Sequence, residues 1–531
     1  MGAGLQATPS ARTGPFRWGK LIDHGQCIGC HACTTACKSE NEVPLSVTRT
    51  YVKYVDVGVF PETRRAFQVT RCNQCEDAPC VAACPTAAMY RRVDGIVDFD
   101  KAACIGCKAC IAACPYDAIF INPEDHSAEK CNFCAHRLDV GLEPACVTVC
   151  PTQAIKVGDL NDPASAVAKA VNRDVVAVRR PEKETRPTLF YRGAHQATLD
   201  PLAARRPGGG LYMWSEQGSL KHQVPSGHPG RGNSSAAAVL SYDIPHRMPW
   251  DWRVSLYTWT KGIAAGAYLV PLLLILLAPL LTGSAGIGGG GAAGSAVAWS
   301  HPAWLWAAPV LGGAFLGITG LLLIWDLEHP ARFWFILARP QWRSWLARGA
   351  VFITVYAAVL AAHFGAALLG AAGATRWLAI VGAPFAAGTA LYTAYLFAQS
   401  KARDLWQNPL APGLLFLQAL LLGAGALEVL GAFVPAIAAP AYGWVVAAAG
   451  AVHVLLVLLE HAQVHATAHA HLAARAMTHG RYAAFFWPGM ALLVVGAAAP
   501  WLGAPAAAAA MLGLLAYEHA YVQAGQSVPL A

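Results

Sequence analysis

The chain is 531 residues long, 55% hydrophobic and only 13% charged, with a formal net charge of +8 and sixteen cysteines. Every cysteine lies between Cys27 and Cys150, whereas Ala, Leu, Gly and Val dominate after about residue 250. This excludes a single ordinary soluble domain and predicts two different units joined in one polypeptide.

The first segment, MGAGLQATPSARTGPFRWGK, is basic but has no apolar core, no small-residue cleavage site and no paired arginines, so no export signal is expected. The cysteines then recur in a pattern. Cys27, Cys30, Cys33 and Cys37 are spaced by two, two and three residues, and so are Cys104, Cys107, Cys110 and Cys114, the last followed by Pro115. In bacterial ferredoxins this run lets three thiolates hold one [4Fe-4S] cluster while the fourth reaches a neighbouring cluster. Cys72, Cys75, Cys80 and Cys84, followed by Pro85, lengthen the middle gap to four. Cys131, Cys134, Cys146 and Cys150 widen it to eleven, yet end in the same CxxxCP at Pro151. CPTAAM, CPYDAI and CPTQAI each continue with a short apolar stretch able to pack a hairpin or turn around a cluster. Four motifs of four leave no cysteine over and predict four [4Fe-4S] clusters. Zinc is the alternative for Cys131, Cys134, Cys146 and Cys150 alone, because a pair of pairs makes a tetrahedral site. It would leave the first motif without a return ligand.

Residues 159 to 250 are rich in Pro, Gly, Arg and Ser, with RRPGGG and PSGHPGRGNSSAAA among them. Part of this stretch reads as linker, giving an iron-sulfur domain at 1–200, a linker at 201–250 and a membrane domain at 251–531. Eight apolar runs follow, at roughly 254–281, 303–325, 349–370, 377–398, 412–434, 443–463, 482–502 and 505–523, near the length of about 20 residues that spans a bilayer. Eight crossings put the cysteine domain on the side of the loops 326–348, 399–411 and 464–481. Those loops carry Arg332, Arg339, Arg343, Arg348, Lys401, Arg403, Arg475 and Arg481, against Arg376 alone on the other side. The positive-inside rule therefore predicts an inner-membrane protein with a cytoplasmic iron-sulfur domain, and the basic excess is a topology signal that calls for no nucleic-acid partner. A reducing cytoplasm also argues for cluster ligation over disulfides. The rival is a domain folded first and exported with a partner, against the charge bias.

Ionisable groups inside a membrane need a partner, a water cavity or a function. Tyr257, Trp259 and Lys261 lie in the first two turns of the first helix, Asp326, Glu328 and His329 end the second, and Glu460 and His461 end the sixth, all at the level of the iron-sulfur domain. A quinone needs apolar walls plus groups that bond its carbonyls and trade protons, so these eight are its candidate site. The alternative reads them as interface aromatics and solvated helix ends. Deeper, His363, Glu428 and His453 are candidates for a proton path, or for buried polar contacts between helices. His461, His465 and His469 recur every four residues, but the stripe leaves the membrane for a loop, which favours a solvated or docking face over a haem or metal site.

CIGCHACTTACKSEN, RCNQCEDAPCVAACPTAAM, CIGCKACIAACPYDAI and CNFC…CVTVCPTQAI, with RPTLFYRG, resemble the four-cluster electron-transfer subunits of molybdopterin oxidoreductases such as dimethyl sulfoxide and polysulfide reductases, over about residues 18 to 195. The resemblance implies that Cys27, Cys30 and Cys33 share a cluster with Cys150, and Cys131, Cys134 and Cys146 with Cys37. By the same exchange, Cys72, Cys75 and Cys80 go with Cys114, and Cys104, Cys107 and Cys110 with Cys84. DWRVSLYTWTKGIAAGAYL, LLLIWDLEHPARFWFILARPQWRSWLARG and YTAYLFAQSKARDLWQNPLAPGLLFLQALLLG resemble the NrfD and polysulfide reductase membrane subunits, usually a separate chain. That implies an eight- or nine-helix, haem-free subunit exchanging electrons with quinone.

The expected fold is thus an α+β ferredoxin-like domain with four [4Fe-4S] clusters, fused to an all-α membrane bundle of about eight helices. The expected role is electron transfer and anchoring in a respiratory complex whose substrate-converting site lies on a molybdopterin-type partner subunit. A cytoplasmic orientation favours oxidation of something like sulfite over reduction of polysulfide, thiosulfate or tetrathionate. Hydrogenase- or formate-linked service and a proton-translocating module are the other readings.

Overall fold

The apolar stretches around the cysteine motifs form short strands, and the motifs themselves form tight loops and single helical turns. The computed structural model describes residues 16–205, 237–282 and 299–530. Its strands are β1 (Trp18–Asp23), β2 (Thr50–Val57), β3 (Arg64–Arg71), β4 (Met89–Arg91), β5 (Val97–Phe99), β6 (Ile119–Ile121), β7 (Ala128–Lys130), β8 (Ile155–Asp159), β9 (Val176–Ala177), β10 (Leu189–Arg192) and β11 (Val239–Tyr242). They form a four-stranded sheet in the order β8-β1-β10-β9, a three-stranded sheet β11-β2-β3, and the hairpins β4-β5 and β6-β7. The hairpins follow the second and third cysteine motifs. The equivalent stretch after Cys150, β8, instead pairs antiparallel with β1 from Trp18↔Asp159 to Ile22↔Ile155, joining the start of the domain to the end of its last motif.

The first and third motifs share a backbone shape. Gly29 and His31 have φ of 70° and 60°, and Gly106 and Lys108 have φ of 70° and 62°, left-handed residues that curl each loop so that successive thiols face one cavity. The expected linker is partly structured: β11 adds to β2 in the iron-sulfur domain. Residues 206–236 lie outside the described residues.

Seven described helices are long and apolar enough to cross a membrane. They are Trp252–Thr282, Ala303–Trp325 (including its first, wider turn), Trp345–Leu368, Ala372–Gln399, Ala411–Phe433, Ala441–Ala462 and Ala483–Leu502, here called the first to seventh. The eighth expected run is also helical, Ala504–Gly525, but Glu518, His519 and Gln523 dilute its apolar character, and it is buried against the first, fifth and seventh helices. The helices meet through small residues: a Cβ on Gly266 would fall 1.8 Å from the Ala419 carbonyl oxygen, so the first and fifth helices touch backbone to backbone.

The two units meet at one end of the bundle. Trp250 Nε1 donates to the Cys107 carbonyl (3.2 Å), Ser344 Oγ to Ala83 (2.8 Å), Gln399 Nε2 to Ala82 (3.0 Å), and Arg332 Nη1 to Lys101 and Cys104 (2.9 and 3.0 Å). Lys183 pairs with Asp404, which also accepts from Thr467 (2.7 Å), and Arg179 donates to the Leu530 carbonyl (3.2 Å). The three basic loops and residue Leu530 therefore gather on the iron-sulfur side. Gly106 makes this docking sterically possible: a Cβ there would lie 2.4 Å from Cβ of Glu328.

Candidate functional site

The cysteines converge in fours. Cys27, Cys30, Cys33 and Cys150 line one cavity, Cys72, Cys75, Cys80 and Cys114 a second, and Cys84, Cys104, Cys107 and Cys110 a third. Cys37 stands within electrostatic reach of Cys131, Cys134 and Cys146, completing a fourth group. The groups also neighbour one another, through Cys33 and Cys146, Cys131 and Cys72, and Cys80 and Cys110. That order runs from Cys30, which is exposed, to the third motif, which abuts the membrane helices.

The donor set suits a cluster better than a single ion. Among the described residues no three His, Cys, Asp or Glu side chains converge tightly enough for one metal ion, and Cys150 lies in a different cavity from the other three cysteines of the zinc alternative. Donors aimed at sulfur fit thiolate: Gly106 and Ala128 N–H approach Cys104 Sγ (3.4 Å each), Met89 N–H approaches Cys84 Sγ (3.4 Å), and Asn41 Nδ2 lies 3.7 Å from both Cys37 and Cys134. Burial pushes the Cys75 thiol up to about 12, so ligation there must displace a proton. Cys146 differs. Burial raises it too, but Lys20 and Arg71 outweigh that and bring it down to about 7. Arg71 is fully buried, with Nη1 3.0 Å from Cys146 Sγ.

A second type of cavity opens between the first, fourth, fifth and eighth helices, with Thr258, Phe397, Ala411, Gln418, Tyr517 and Glu518 in its lining. Thr258 Oγ1 donates to Glu518 Oε2 (2.9 Å), and Gln418 Nε2 meets His453 Nε2 (3.1 Å). Glu518 Oε1 and Gln418 Oε1 are buried without a partner among the described residues. Aromatic rings join this cavity to the third motif. Trp250, bonded to the Cys107 carbonyl, stacks on Trp406 (5.6 Å), Trp406 stacks on the wall residue Phe397 (4.7 Å), and Phe397 lies 6.3 Å from Tyr521.

The sequence-derived candidates divide into groups. Tyr257 and Lys261 are buried in the first helix; Lys261 Nζ donates to Ala390 O (3.1 Å) and Thr393 Oγ1 (2.5 Å) and lies 4.7 Å over the Tyr392 ring. Trp259 turns away, donating to Met511 O (2.8 Å). Asp326 and Glu328 reach the iron-sulfur domain, each 3.3 Å from Lys108 Nζ, with Arg253 3.5 Å from Asp326. Burial raises the Asp326 carboxyl to about 6 despite Lys108 and Arg253. His329 lies 6.4 Å from His126 at the same junction. Glu460 faces Tyr517 and Tyr521 of the cavity wall, whereas His461 donates from Nδ1 to Val457 O (2.8 Å) and lies near His465 and Phe486 (6.1 and 5.4 Å). The deeper trio is dispersed. His453 touches the cavity through Gln418, His363 sits between Trp304 and Tyr268 (4.7 and 5.7 Å), and Glu428 lies by the Gly503 turn at the far end.

Residues 63–160 match the model for a 4Fe-4S dicluster domain, and residues 242–506 match the Polysulphide reductase, NrfD model. A tetrathionate reductase subunit of Salmonella typhimurium is 43% identical over 197 residues, covering 36% of this chain and 77% of that protein. This polypeptide belongs to the family of such iron-sulfur subunits, fused to an NrfD-type membrane domain. The fusion also resembles a polysulfide reductase subunit of Wolinella succinogenes (44% over 177 residues, 33% of this chain and 93% of that protein). The thiosulfate reductase electron transfer subunit PhsB of Salmonella typhi is 49% identical over 145 residues (27% and 76%). The fusion is therefore an iron-sulfur, integral-membrane subunit related to reductase electron-transfer subunits.

Glu518, Gln418, Thr258 and Tyr517 escaped sequence reasoning, which weighed polar groups mainly at helix ends. The available signal was a carboxylate and an amide inside otherwise apolar runs. Arg71 and Lys20 were missed because the thiol they face, Cys146, lies far from both in sequence, and Arg71, although it adjoins Cys72, reaches a different motif.

Proposed function

We propose that this chain carries four [4Fe-4S] clusters and passes electrons between a molybdopterin-type catalytic subunit and quinone in the membrane cavity. The observation that carries this reading is the continuity of four thiol groups, from exposed Cys30 to Cys107, with Trp250, Trp406 and Phe397 leading on to the cavity. The clusters supply one-electron steps, which match a two-electron substrate reaction to quinone. The chain's own residues hold them, neutralise thiolate charge with Arg71 and Lys20, and dock the third motif through Lys108, Asp326 and Glu328. The cavity offers an apolar wall and two free acceptors, the Gln418 amide oxygen and one oxygen of the Glu518 carboxylate, placed to receive the O–H groups of a quinol. Tyr257 and Lys261 lie within electrostatic reach of Glu518, and Glu460 within reach of Tyr517 and Tyr521.

The charge bias of the loops supports a cytoplasmic iron-sulfur domain, and the relatives' names point to sulfur compounds. The orientation favours cytoplasmic oxidation of a compound such as sulfite, with electrons delivered to quinone, whereas the relatives named are reductases, for which electrons would run from quinol to the sulfur compound. Gentle purification tests the assembly: a molybdopterin protein should accompany the chain, with about sixteen iron atoms per chain. Bound zinc, or co-purification with a different class of catalytic subunit, would overturn the corresponding part of the proposal.

A further inference from the structure

Glu518 is 4% exposed and lies seven residues inside the end of the helix Ala504–Gly525, roughly 10 Å along its axis at 1.5 Å per residue. Both family models end before it, at residues 160 and 506. Its Oε2 accepts from Thr258, and its Oε1 meets no donor among the described residues. Lys261 is one turn along from Thr258 on the first helix, and its amino group is held by a carbonyl, a hydroxyl and a ring face, with no acid among the described residues in hydrogen-bond contact. Lys261 and Glu518 lie within electrostatic reach of each other without forming an ion pair, and an ionisable group buried in the membrane unit is costly unless it has a partner or a function. A carboxylate placed only for packing would have both oxygens satisfied. This one keeps an oxygen free, and it lines the cavity.

We propose that Glu518 is the group through which quinone exchanges protons in this cavity, with Lys261 as the positioning charge that steadies its anionic form; the inference rests on quinone binding there. In the oxidising direction a quinol O–H bond breaks, its proton passes to the Glu518 carboxylate, and one electron leaves for the cluster at the third motif. The acid then releases its proton toward Glu460, which faces Tyr517 and Tyr521 at the iron-sulfur end of the sixth helix. A second cycle completes the loss of two electrons and two protons that converts quinol to quinone. Quinone reduction runs the same steps backward.

The test uses the full chain in lipid nanodiscs, with decylubiquinol and menadiol as donors. The variants are Glu518→Gln, Glu518→Asp, Lys261→Met and, as a cavity block, Ala411→Trp. Glu518→Gln should keep quinol binding within about twofold and slow cluster reduction by about 100-fold or more, the scale of a lost proton-transfer group. Glu518→Asp should recover part of that rate, and Lys261→Met should slow it by about tenfold with binding retained. In redox-difference infrared spectra the wild type should show a carboxyl C=O band that disappears in Glu518→Gln. If Ala411→Trp blocks the reaction while Glu518→Gln leaves its rate within about threefold, the role of Glu518 fails and the quinone cavity stands. If Ala411→Trp changes neither binding nor rate, the cavity reading itself fails. Should Glu518→Gln not assemble, absence of a redox-linked carboxyl band in the wild type overturns the proposal.

Discussion

Arg71 places a full positive charge inside the iron-sulfur domain, with Nη1 3.0 Å from Cys146 Sγ. Replacing it with Met keeps the side chain's bulk and removes the charge. The reduced form of a cluster bound by Cys37, Cys131, Cys134 and Cys146 carries one more negative charge than the oxidised form, so Arg71 stabilises reduction. Taking the cluster centre at roughly 5 Å and an effective dielectric of about 20, the interaction is about 3 kcal/mol, or roughly 140 mV for one electron. The Arg71→Met potential should therefore fall by roughly 100 to 140 mV. Arg71→Lys should stay close to the wild type. Redox titration monitored by electron paramagnetic resonance, on preparations with equal iron content, measures the shift. A change under about 20 mV, or an upward one, would refute this electrostatic reasoning.

Cys150→Ala should remove the cluster it shares with Cys27, Cys30 and Cys33; elemental analysis should then show iron falling from about sixteen to about twelve atoms per chain. Loss of the cluster bound by Cys131 and Cys134 instead would disprove the grouping. His246 is partly buried between Asp117 and Asp243; burial opposes its charge, but Asp243 and Asp117 outweigh that and raise it to about 9. A folded-state pKa above the ordinary 6.5 adds stability that is complete below about pH 6.5 and lost as pH rises through about 9, worth about 3 kcal/mol. Thermal unfolding should show that loss in the wild type and not in His246→Gln. Asp326→Ala removes one of two carboxylates from Lys108 and should loosen the docking by about 2 kcal/mol, seen as earlier proteolysis at the interface. Protease added to inverted membrane vesicles should cleave the iron-sulfur domain, and protease added to right-side-out vesicles should not.

The cysteine domain was largely legible because cluster ligands are local: two- and three-residue gaps encode a loop and a helical turn, and the recurring CP endings carry the hairpins. Membrane helices were legible as apolar runs for the same reason. Their mutual packing was not, because a helix that is apolar all round does not declare which side faces its neighbours. Thr258, Gln418 and Glu518 come from three helices far apart in sequence and become one site only on packing. Local reading likewise grouped Asp326, Glu328 and His329 with Tyr257 because all are polar at one level. It could not see Lys108, more than two hundred residues earlier, waiting as a partner for Asp326 and Glu328. The strand β11 was hidden inside a Pro- and Gly-rich stretch because its pairing partner β2 lies across the domain.

The central claim is that electrons cross the iron-sulfur domain and leave at the membrane cavity. Rapid mixing of the dithionite-reduced full chain in nanodiscs with a short-chain quinone, followed by freeze-quench electron paramagnetic resonance, tests it most directly. All reduced-cluster signals should decay in the wild type, and in Ala411→Trp they should persist at full iron content. Equal decay in both would contradict the account.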